Sequence, residues 1–182
     1  DLADERFCES PRLLNELLNR DKPSGSAIAA QNALLRRMVL NVGERRLGIN
    51  GYPGEGGLLA SLLLATQLYT YEQDRWKFVP PLTADPCRLA PIWNAAVEYI
   101  KSNAHRAVDV SEIFQVWRDQ PFGVKDGLMT VLAVAFIQSN IQHLAVYREG
   151  VFRAQFDDVD VEYLAKDPAA IQIRWMVLSD VS

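Results

Sequence analysis

Basic side chains are the residues of this sequence whose types and spacing could support chemistry, and the chemistry is anion binding. The one concentrated group contains Arg36, Arg37, Arg45 and Arg46. Arginines at the end of a predicted helix also interact favourably with the helix dipole, so a solvated helix end is the simpler interpretation. The second interpretation is contact with phosphate or with an acidic partner. Two predicted hairpins carry further candidates for such contacts: Arg75, Lys77, Arg148 and Arg153.

The sequence lacks the motifs of catalysis, metal binding and nucleotide binding. The Gly-rich stretch 51–57, GYPGEGG, has no following Lys-Ser/Thr, which a phosphate-binding P-loop requires. The two histidines and two cysteines are not spaced as metal ligands. Spacing alone does not exclude a Ser/His/Asp arrangement, but no nucleophile elbow occurs. The carboxylates of residues 157–160 are not followed by a calcium-binding loop, and helix capping explains them better. We therefore expect no catalytic residue, no cofactor and no metal, and a chain that is not an enzyme.

The composition is that of an ordinary globular chain with an acidic balance. The 182 residues are 49% hydrophobic and 23% charged, with a formal net charge of −4. This balance disfavours strong non-specific attraction to nucleic acid. Cys8 and Cys87 form no disulfide framework, which favours a reducing compartment. Because the sequence has neither a signal peptide nor an apolar run of about 20 residues, we expect a cytoplasmic protein with no membrane partner.

Hydrophobic periodicity predicts the order helix, helix, helix, hairpin twice along the chain. The predicted helices cover residues 11–19, 26–42, 55–68, 87–103, 111–119 and 124–139, and the hairpins cover residues 69–79 and 143–156. A helix followed by a hairpin is the second half of a winged-helix unit. We therefore predict an α+β, mainly helical fold with tandem winged-helix units in residues 1–80 and 87–156, and a C-terminal helix and strand in residues 157–182. A single irregular α+β domain is the alternative.

Three details of this prediction can be checked residue by residue. The apolar spacing of the helix over residues 26–42 predicts that Ile28, Leu34, Leu35, Met38 and Val39 point inward. Trp93 and Trp117 are predicted to lie in the core. The strictly alternating stretch 170–178 predicts a terminal strand, whose partner is either the second hairpin or another domain.

The third helix of each predicted unit bears on nucleic-acid binding. The helix over residues 55–68 contains no Lys or Arg, and the helix over residues 124–139 contains only Lys125, beside Asp126. An apolar helix cannot supply the hydrogen bonds that read base edges in the major groove. Binding to nucleic acid would therefore have to use the hairpins and the four clustered arginines.

The stretch 121–152 combines a Pro-aromatic-Gly turn, a basic residue and a Gly before an apolar helix, and a Tyr-x-x-Gly-x-Phe hairpin. The residues of this pattern are Pro121, Phe122, Gly123, Lys125, Gly127, Tyr147, Gly150 and Phe152. Together with residues 15–38 (NELLNRDKPSGSAIAAQNALLRRM) and 47–63 (LGINGYPGEGGLLASLL), the stretch resembles a region of large bacterial P-loop ATPases. Those ATPases are associated with phage resistance of the BREX and phage-growth-limitation type.

The resemblance implies a winged-helix-containing segment of a multidomain ATPase, with ATP hydrolysis outside these residues. A start without Met and an end just after an apolar stretch also lead us to expect a piece of a larger protein. Pro53-Gly54-Glu55 and Leu58-Leu59 depart from the family's Pro-Pro-Glu and Tyr, so the role of the first hairpin is less defined. We expect a non-catalytic interaction module that docks to other domains or subunits of a larger ATPase assembly. The alternative is DNA binding through the hairpins and the arginines. A third possibility, an independent enzyme, would need a pocket with convergent polar groups.

Overall fold

The computed structural model describes residues 24–51, 53–82, 85 and 87–177. These residues form an α+β fold with more helix than strand, which confirms the predicted class. The helix predicted over residues 11–19 and Cys8 lie outside the described residues.

The first part of the described chain contains two helices, a 3₁₀ turn between them and a hairpin. They are α1 (Gly25–Leu40), a 3₁₀ turn (Arg45–Gly48), α2 (Gly54–Leu58) with its π-helical continuation (Leu59–Leu64), β1 (Tyr69–Glu72) and β2 (Arg75–Phe78). Ser24 caps α1, because its hydroxyl accepts a hydrogen bond from the amide of Ala27 at 3.2 Å. The hairpin follows the sequence prediction, whereas the π-helical geometry of residues 59–64 could not be read from apolar spacing.

Tyr69 fixes the first hairpin against the end of α1. Its ring is buried, and its hydroxyl lies 2.7 Å from the carbonyl oxygen of Val42 and 2.5 Å from that of Glu44. Burial away from water raises the pKa of this phenol to about 12. The turn between the strands, Gln73-Asp74, has positive φ at both residues, as a tight two-residue hairpin requires.

The second part of the described chain contains four helices and a sheet. Its elements are α3 (Ala90–Ser102), β3 (Val108–Asp109), α4 (Val110–Arg118), α5 (Asp126–Ser139), β4 (Leu144–Arg148), β5 (Val151–Arg153), α6 (Asp158–Lys166), a 3₁₀ turn (Pro168–Ala170) and β6 (Ile171–Trp175). Every residue of α5 from Val131 to Ile137 is buried, as its unbroken apolar run predicts.

The four-stranded sheet is antiparallel in the order β3-β6-β4-β5. The terminal strand β6 lies in the middle, where Ile173 is opposite Val146 on one side and Val108 on the other. Of the two partners that the sequence left open, the second hairpin is therefore the observed one. Ile171 and Ile173 are buried, so the last described strand completes the core.

One cluster of buried side chains runs through both predicted units, from Leu34 of α1 to Ile173 of β6. Trp93 and Trp117 lie within this cluster, as predicted, and both rings contact Phe136 of α5. The Nε1–H of Trp117 donates to the carbonyl of Ile92 at 2.9 Å, which satisfies its only polar group. Helix α5 is thus packed into the centre of the molecule.

The prediction that Ile28 points inward is wrong, since 46% of this residue is exposed. Leu35 lies seven residues further on, on the same face of α1, and is buried. Within the described part of the chain, the face is therefore covered at Leu35 and accessible two turns earlier, at Ile28. Apolar spacing identifies the face of a helix, but it does not indicate where along the helix its cover ends.

Candidate interaction surface

The structure divides the predicted group of four arginines. Arg36 points toward α6, with its guanidinium 3.7 Å from the carboxylate of Asp158, and is largely exposed. Arg37 turns toward the 3₁₀ segment and donates to the carbonyl of Leu47 at 3.3 Å. Arg45 is exposed, whereas Arg46 is half-buried and has a buried Nε without a hydrogen-bond partner among the described residues. These side chains do not all face one partner.

Two arginines of the second hairpin bind a buried carboxylate of the same chain. Arg148 and Arg153 each donate to Oδ1 of Asp160 at 3.0 Å, and Asp160 is fully buried. Arg153 also pairs with Asp157 at 3.1 Å. These ion pairs hold the hairpin on α6. Arg148 and Arg153, which were predicted as candidates for phosphate contact, are therefore engaged within the molecule.

The first hairpin places its two predicted basic residues in one cleft. Arg75 and Lys77 line a cleft of about 490 Å³ between this hairpin and the C-terminal end of α5, where His143 also lies. Lys77 donates to Gln73 at 3.1 Å and lies 3.5 Å from the carboxylate of Glu72. Arg75 is exposed. It is the basic residue of this cleft that an external anion would reach most readily.

A second hollow lies on the other side of Ile141, between α5 and the second hairpin. This groove of about 530 Å³ is lined by Phe152 and Met176, and by Gln138 and Ile141, which also line the first cleft. Three apolar side chains of the groove remain accessible, with exposed fractions of 38% for Ile141, 59% for Phe152 and 39% for Met176. We call the two adjoining hollows the inter-hairpin surface, defined by Arg75, Lys77, Gln138, Ile141, His143, Phe152 and Met176.

The shape of this surface follows from where α5 and β5 end. Helix α5 ends at Ser139, and the amide of His143 donates to the carbonyl of Asn140 at 2.8 Å, which closes a turn that presents Ile141 to solvent. Strand β5 ends at Arg153, opposite Val146. Leu144 therefore pairs with β6 on one side, and on its other side no strand of the described residues lies beside it. The groove lies where the pairing between β4 and β5 ends.

The side chains of this surface suit binding better than catalysis. The described lining residues of both hollows include no carboxylate and no cysteine. The Ser139 hydroxyl donates to the carbonyl of Phe136 and accepts from Trp93, so it is held in a structural contact. Among the residues that the structure describes, no group of three or more His, Cys, Asp or Glu could hold a metal ion. The surface offers apolar area with Arg75 at its margin.

One carboxylate has a strongly shifted pKa, and its surroundings explain the shift. Arg106 donates to both oxygens of Glu112, at 2.8 and 3.0 Å, and lowers the pKa of this carboxyl to about 2. Tyr99 and the amide of Asp109 also donate to Glu112, at 2.7 and 2.8 Å. The group connects α3 to the start of α4. The spacing Asp109-x-x-Glu112 is a capping box, and this signal could have been read from the sequence.

We expect this network to make stability depend on pH at the acidic end of the scale. Because the pKa of Glu112 is lower in the folded state than the ordinary value of about 4.3, its contribution is complete above that value and is lost as the pH falls toward about 2. Urea unfolding of the wild type and of Glu112→Gln should therefore differ most at pH 6, and the difference should shrink toward pH 2. A Glu98→Gln variant, which changes an exposed residue of α3, is the control and should show no such convergence.

The apolar residues of the inter-hairpin surface were not among the site residues predicted from sequence. Phe152 belongs to the Tyr-x-x-Gly-x-Phe hairpin pattern, and it lies directly opposite Tyr147, with ring centroids 5.9 Å apart. The alternation of β5 could have indicated that Phe152 and Arg153 face opposite sides. Ile141 lies in the turn after α5, where sequence periodicity carries no information, and Met176 directly follows the last residue of β6.

Comparison of the chain with protein-family models, with curated proteins and with solved structures finds no match. No helix among the described residues is both long enough and apolar enough to cross a membrane.

Proposed function

We propose that this chain is a non-catalytic interaction module of a larger P-loop ATPase of the phage-resistance type. In this proposal, residues 1–80 and 87–156 are tandem winged-helix units, and they dock to another domain or subunit of the ATPase through the inter-hairpin surface. ATP hydrolysis takes place outside this chain.

The observation that carries the proposal is the position of α5. In a winged-helix unit that reads DNA, the third helix lies in the major groove with polar side chains on its outer face. Here α5 is buried from Val131 to Ile137, so it has no outer face along half of its length. Near its end, the exposed side chains include the apolar Ile141 and Phe152 beside the polar Gln142 and His143. Accessible apolar side chains beside polar ones are typical of protein interfaces.

The use of the basic residues points the same way. Arg148 and Arg153 are bound to Asp160, Arg37 to a backbone carbonyl, and Lys77 to side chains of its own hairpin. A residue that already pairs within the chain must give up that contact before it can neutralise a phosphate. Four of the described basic residues that were predicted to contact phosphate are therefore already engaged within the chain.

Site-specific photo-cross-linking in cells that make the full-length protein tests the docking function. A photoreactive residue at Phe152 should form an adduct with a polypeptide that carries P-loop ATPase motifs, either within the same protein or in a neighbouring subunit. The matched control is a probe at Lys125, which is exposed near the start of α5, whereas Phe152 lies near its end. Equal adducts from both positions, or an adduct with nucleic acid only, would count against docking through this surface.

The second candidate function is DNA binding through Arg45 and Arg75, and their exposure is the observation that favours it. A duplex-DNA titration at about 50 mM and about 200 mM salt distinguishes the two functions, since affinity carried by phosphate contacts falls steeply with salt. If the chain binds DNA, its affinity should fall steeply between the two salt concentrations. The Arg45→Glu/Arg75→Glu variant should lose a comparable amount of affinity at the lower concentration. Docking predicts no binding at the lower salt concentration. We choose Arg45 and Arg75 over Arg37 and Arg46, because the side chains of Arg37 and Arg46 are half-buried. Charge reversal at these two positions would also perturb folding.

A further inference from the structure

The outer edge of β2 runs along the cleft between the first hairpin and the end of α5. Every residue from Arg75 to Pro80 belongs to the lining of this cleft. Strand β2 pairs with β1 on one side, and on its other side no strand of the described residues lies beside it. The cleft is therefore bounded by a free strand edge.

The hydrogen bonds of the first hairpin show which main-chain groups point into the cleft. The amide of Val79 donates to the carbonyl of Leu68 at 2.9 Å. Hydrogen-bonded and non-hydrogen-bonded pairs alternate along an antiparallel ladder, so Lys77 is the next residue bonded to β1. Trp76 and Phe78 belong to the pairs between, and their amides and carbonyls point away from β1, toward the cleft.

These outward groups have no partner among the residues that the structure describes. Neither Trp76 nor Phe78 makes a main-chain hydrogen bond across this edge to a described residue. Each offers one donor and one acceptor, at the spacing of alternate residues in a strand. Pro80, the next outward residue, has no N–H, so the pairing edge ends there. An extended polypeptide beside β2 can pair with all of these groups, as in other cases of strand addition to a sheet edge.

The side chains of the hairpin indicate which strand would fit. The ring of Tyr69 contacts the rings of Trp76 and Phe78, with centroids 5.3 and 5.0 Å apart, so one face of the hairpin is aromatic. Arg75 and Lys77 alternate with these residues and belong to the other face. Cross-strand neighbours on one face interact, so a complementary strand has apolar side chains on the aromatic face and acidic ones on the other.

We propose that the cleft receives an extended segment of the docking partner as a third strand on β2, with alternating apolar and acidic side chains. This inference rests on the proposed docking function and deepens it, because it names the conformation and the chemistry of the partner segment. Basic side chains on a free strand edge disfavour pairing with a basic strand. A second copy of β2 is such a strand, since it would place its own Arg75 and Lys77 beside those of the first copy.

Amide hydrogen exchange on the intact 182-residue chain tests the inference, with a blocked peptide of alternating Val and Glu, about six residues long, as the probe. In the free chain, the outward amides of Trp76 and Phe78 should exchange at least tenfold faster than those of Lys77 and Val79, which donate to β1. Saturating peptide should remove this difference, because the outward amides then donate to the added strand.

Charge reversal at the edge supplies the matched variants. Arg75→Glu should weaken the affinity for the Val-Glu peptide at least tenfold, since it places like charges side by side. Arg45→Glu changes an equally exposed arginine that does not line the cleft, and it should leave the affinity unchanged. A peptide of alternating Val and Lys should not bind the wild-type chain.

Three results would overturn the inference: outward amides that stay fast up to about 1 mM Val-Glu peptide, equal binding of the Val-Lys peptide, or equal affinities of the two variants. Slow outward amides in the free chain would also overturn it, because the edge would then be covered without a partner. If that protection weakens on tenfold dilution, the cover is a second copy.

The outcome is distinguishable from failure of the docking function. An ATPase adduct from Phe152 together with any of these contrary results would leave docking standing and remove only the added strand. Pairing of the Val-Glu peptide without such an adduct would contradict docking to the ATPase alone.

Discussion

Replacement of Asp160 by Asn is expected to lower the free energy of unfolding by about 3–5 kcal/mol, the cost of removing one partner from a buried ion-pair network. The carboxylate of Asp160 is fully buried and accepts from Arg148 and Arg153 at 3.0 Å each. It also accepts from the amide of Asp157 at 3.0 Å, as part of the capping box of α6. The Asn side chain fills the same volume but leaves two partly buried guanidinium groups without their shared counter-charge. Urea unfolding at neutral pH measures the loss.

Asp158→Asn is the matched control for this prediction. Asp158 lies two residues earlier on the same helix, and its ion pair with Arg36 is longer, at 3.7 Å, and more exposed. Such a surface pair contributes about 1 kcal/mol or less. Equal losses in the two variants would mean that the buried network contributes no more than an ordinary surface contact, and the prediction would be wrong.

The carboxylates of residues 157–160 illustrate how far the sequence alone leads at this site. Their position before an amphipathic stretch predicts helix capping, and Asp157 does cap α6 by accepting from the amides of Val159 and Asp160 at 3.1 Å each. Nothing local distinguishes the buried Asp160 from its half-buried neighbours Asp157 and Asp158. Its burial depends on two arginines that are 12 and 7 residues away in sequence, on a hairpin whose position only the folded chain defines.

The same reason explains why basic residues were poor guides to a binding site. Arg148 and Arg153 stand out in the sequence because a hairpin exposes side chains on both of its faces. The fold places α6 against one of these faces, and the charges that a sequence presents as available are paired there. Arg75, on a hairpin that packs against α5, remains exposed. Availability of a charge is thus a property of the tertiary contacts.

Apolar patterns predicted more of the structure than the charged residues did, although they did not predict which strands lie next to each other. The apolar run in α5 is typical of a helix that is covered on most sides, and Trp93 and Trp117 were predicted to lie in the core. The structure shows α5 buried from Val131 to Ile137 and both tryptophans buried. The alternation in residues 170–178 predicted a strand. It could not predict that β6 lies between β3 and β4, because alternation defines two faces and leaves both edges open.

Trp117→Ala is expected to cause the other large loss, about 3–5 kcal/mol in the free energy of unfolding, as for other buried Trp or Phe side chains that are truncated. Trp117 is fully buried and stacks with Trp93 at 6.2 Å and with Phe114 at 6.4 Å. The edge contact with Phe136, also at 6.2 Å, connects it to α5. The truncation leaves a cavity among α3, α4 and α5, and the carbonyl of Ile92 loses the hydrogen bond that it accepts from the indole.

Trp175→Ala is the control that separates burial from residue type. Trp175 is half-buried on the last described strand, where its ring stacks on His143 at 5.2 Å and lies 4.7 Å from the ammonium of Lys101. Its truncation removes contacts that water can partly replace, so the loss in the same urea titration should be no more than about half that of Trp117→Ala.

Because Trp117 positions α5, and α5 ends at the turn that presents Ile141, the larger loss should be accompanied by weaker cross-linking from Phe152. Trp175→Ala should leave the fold of α5 intact. A Trp117→Ala variant as stable as Trp175→Ala would show that α5 is held by its aliphatic contacts alone.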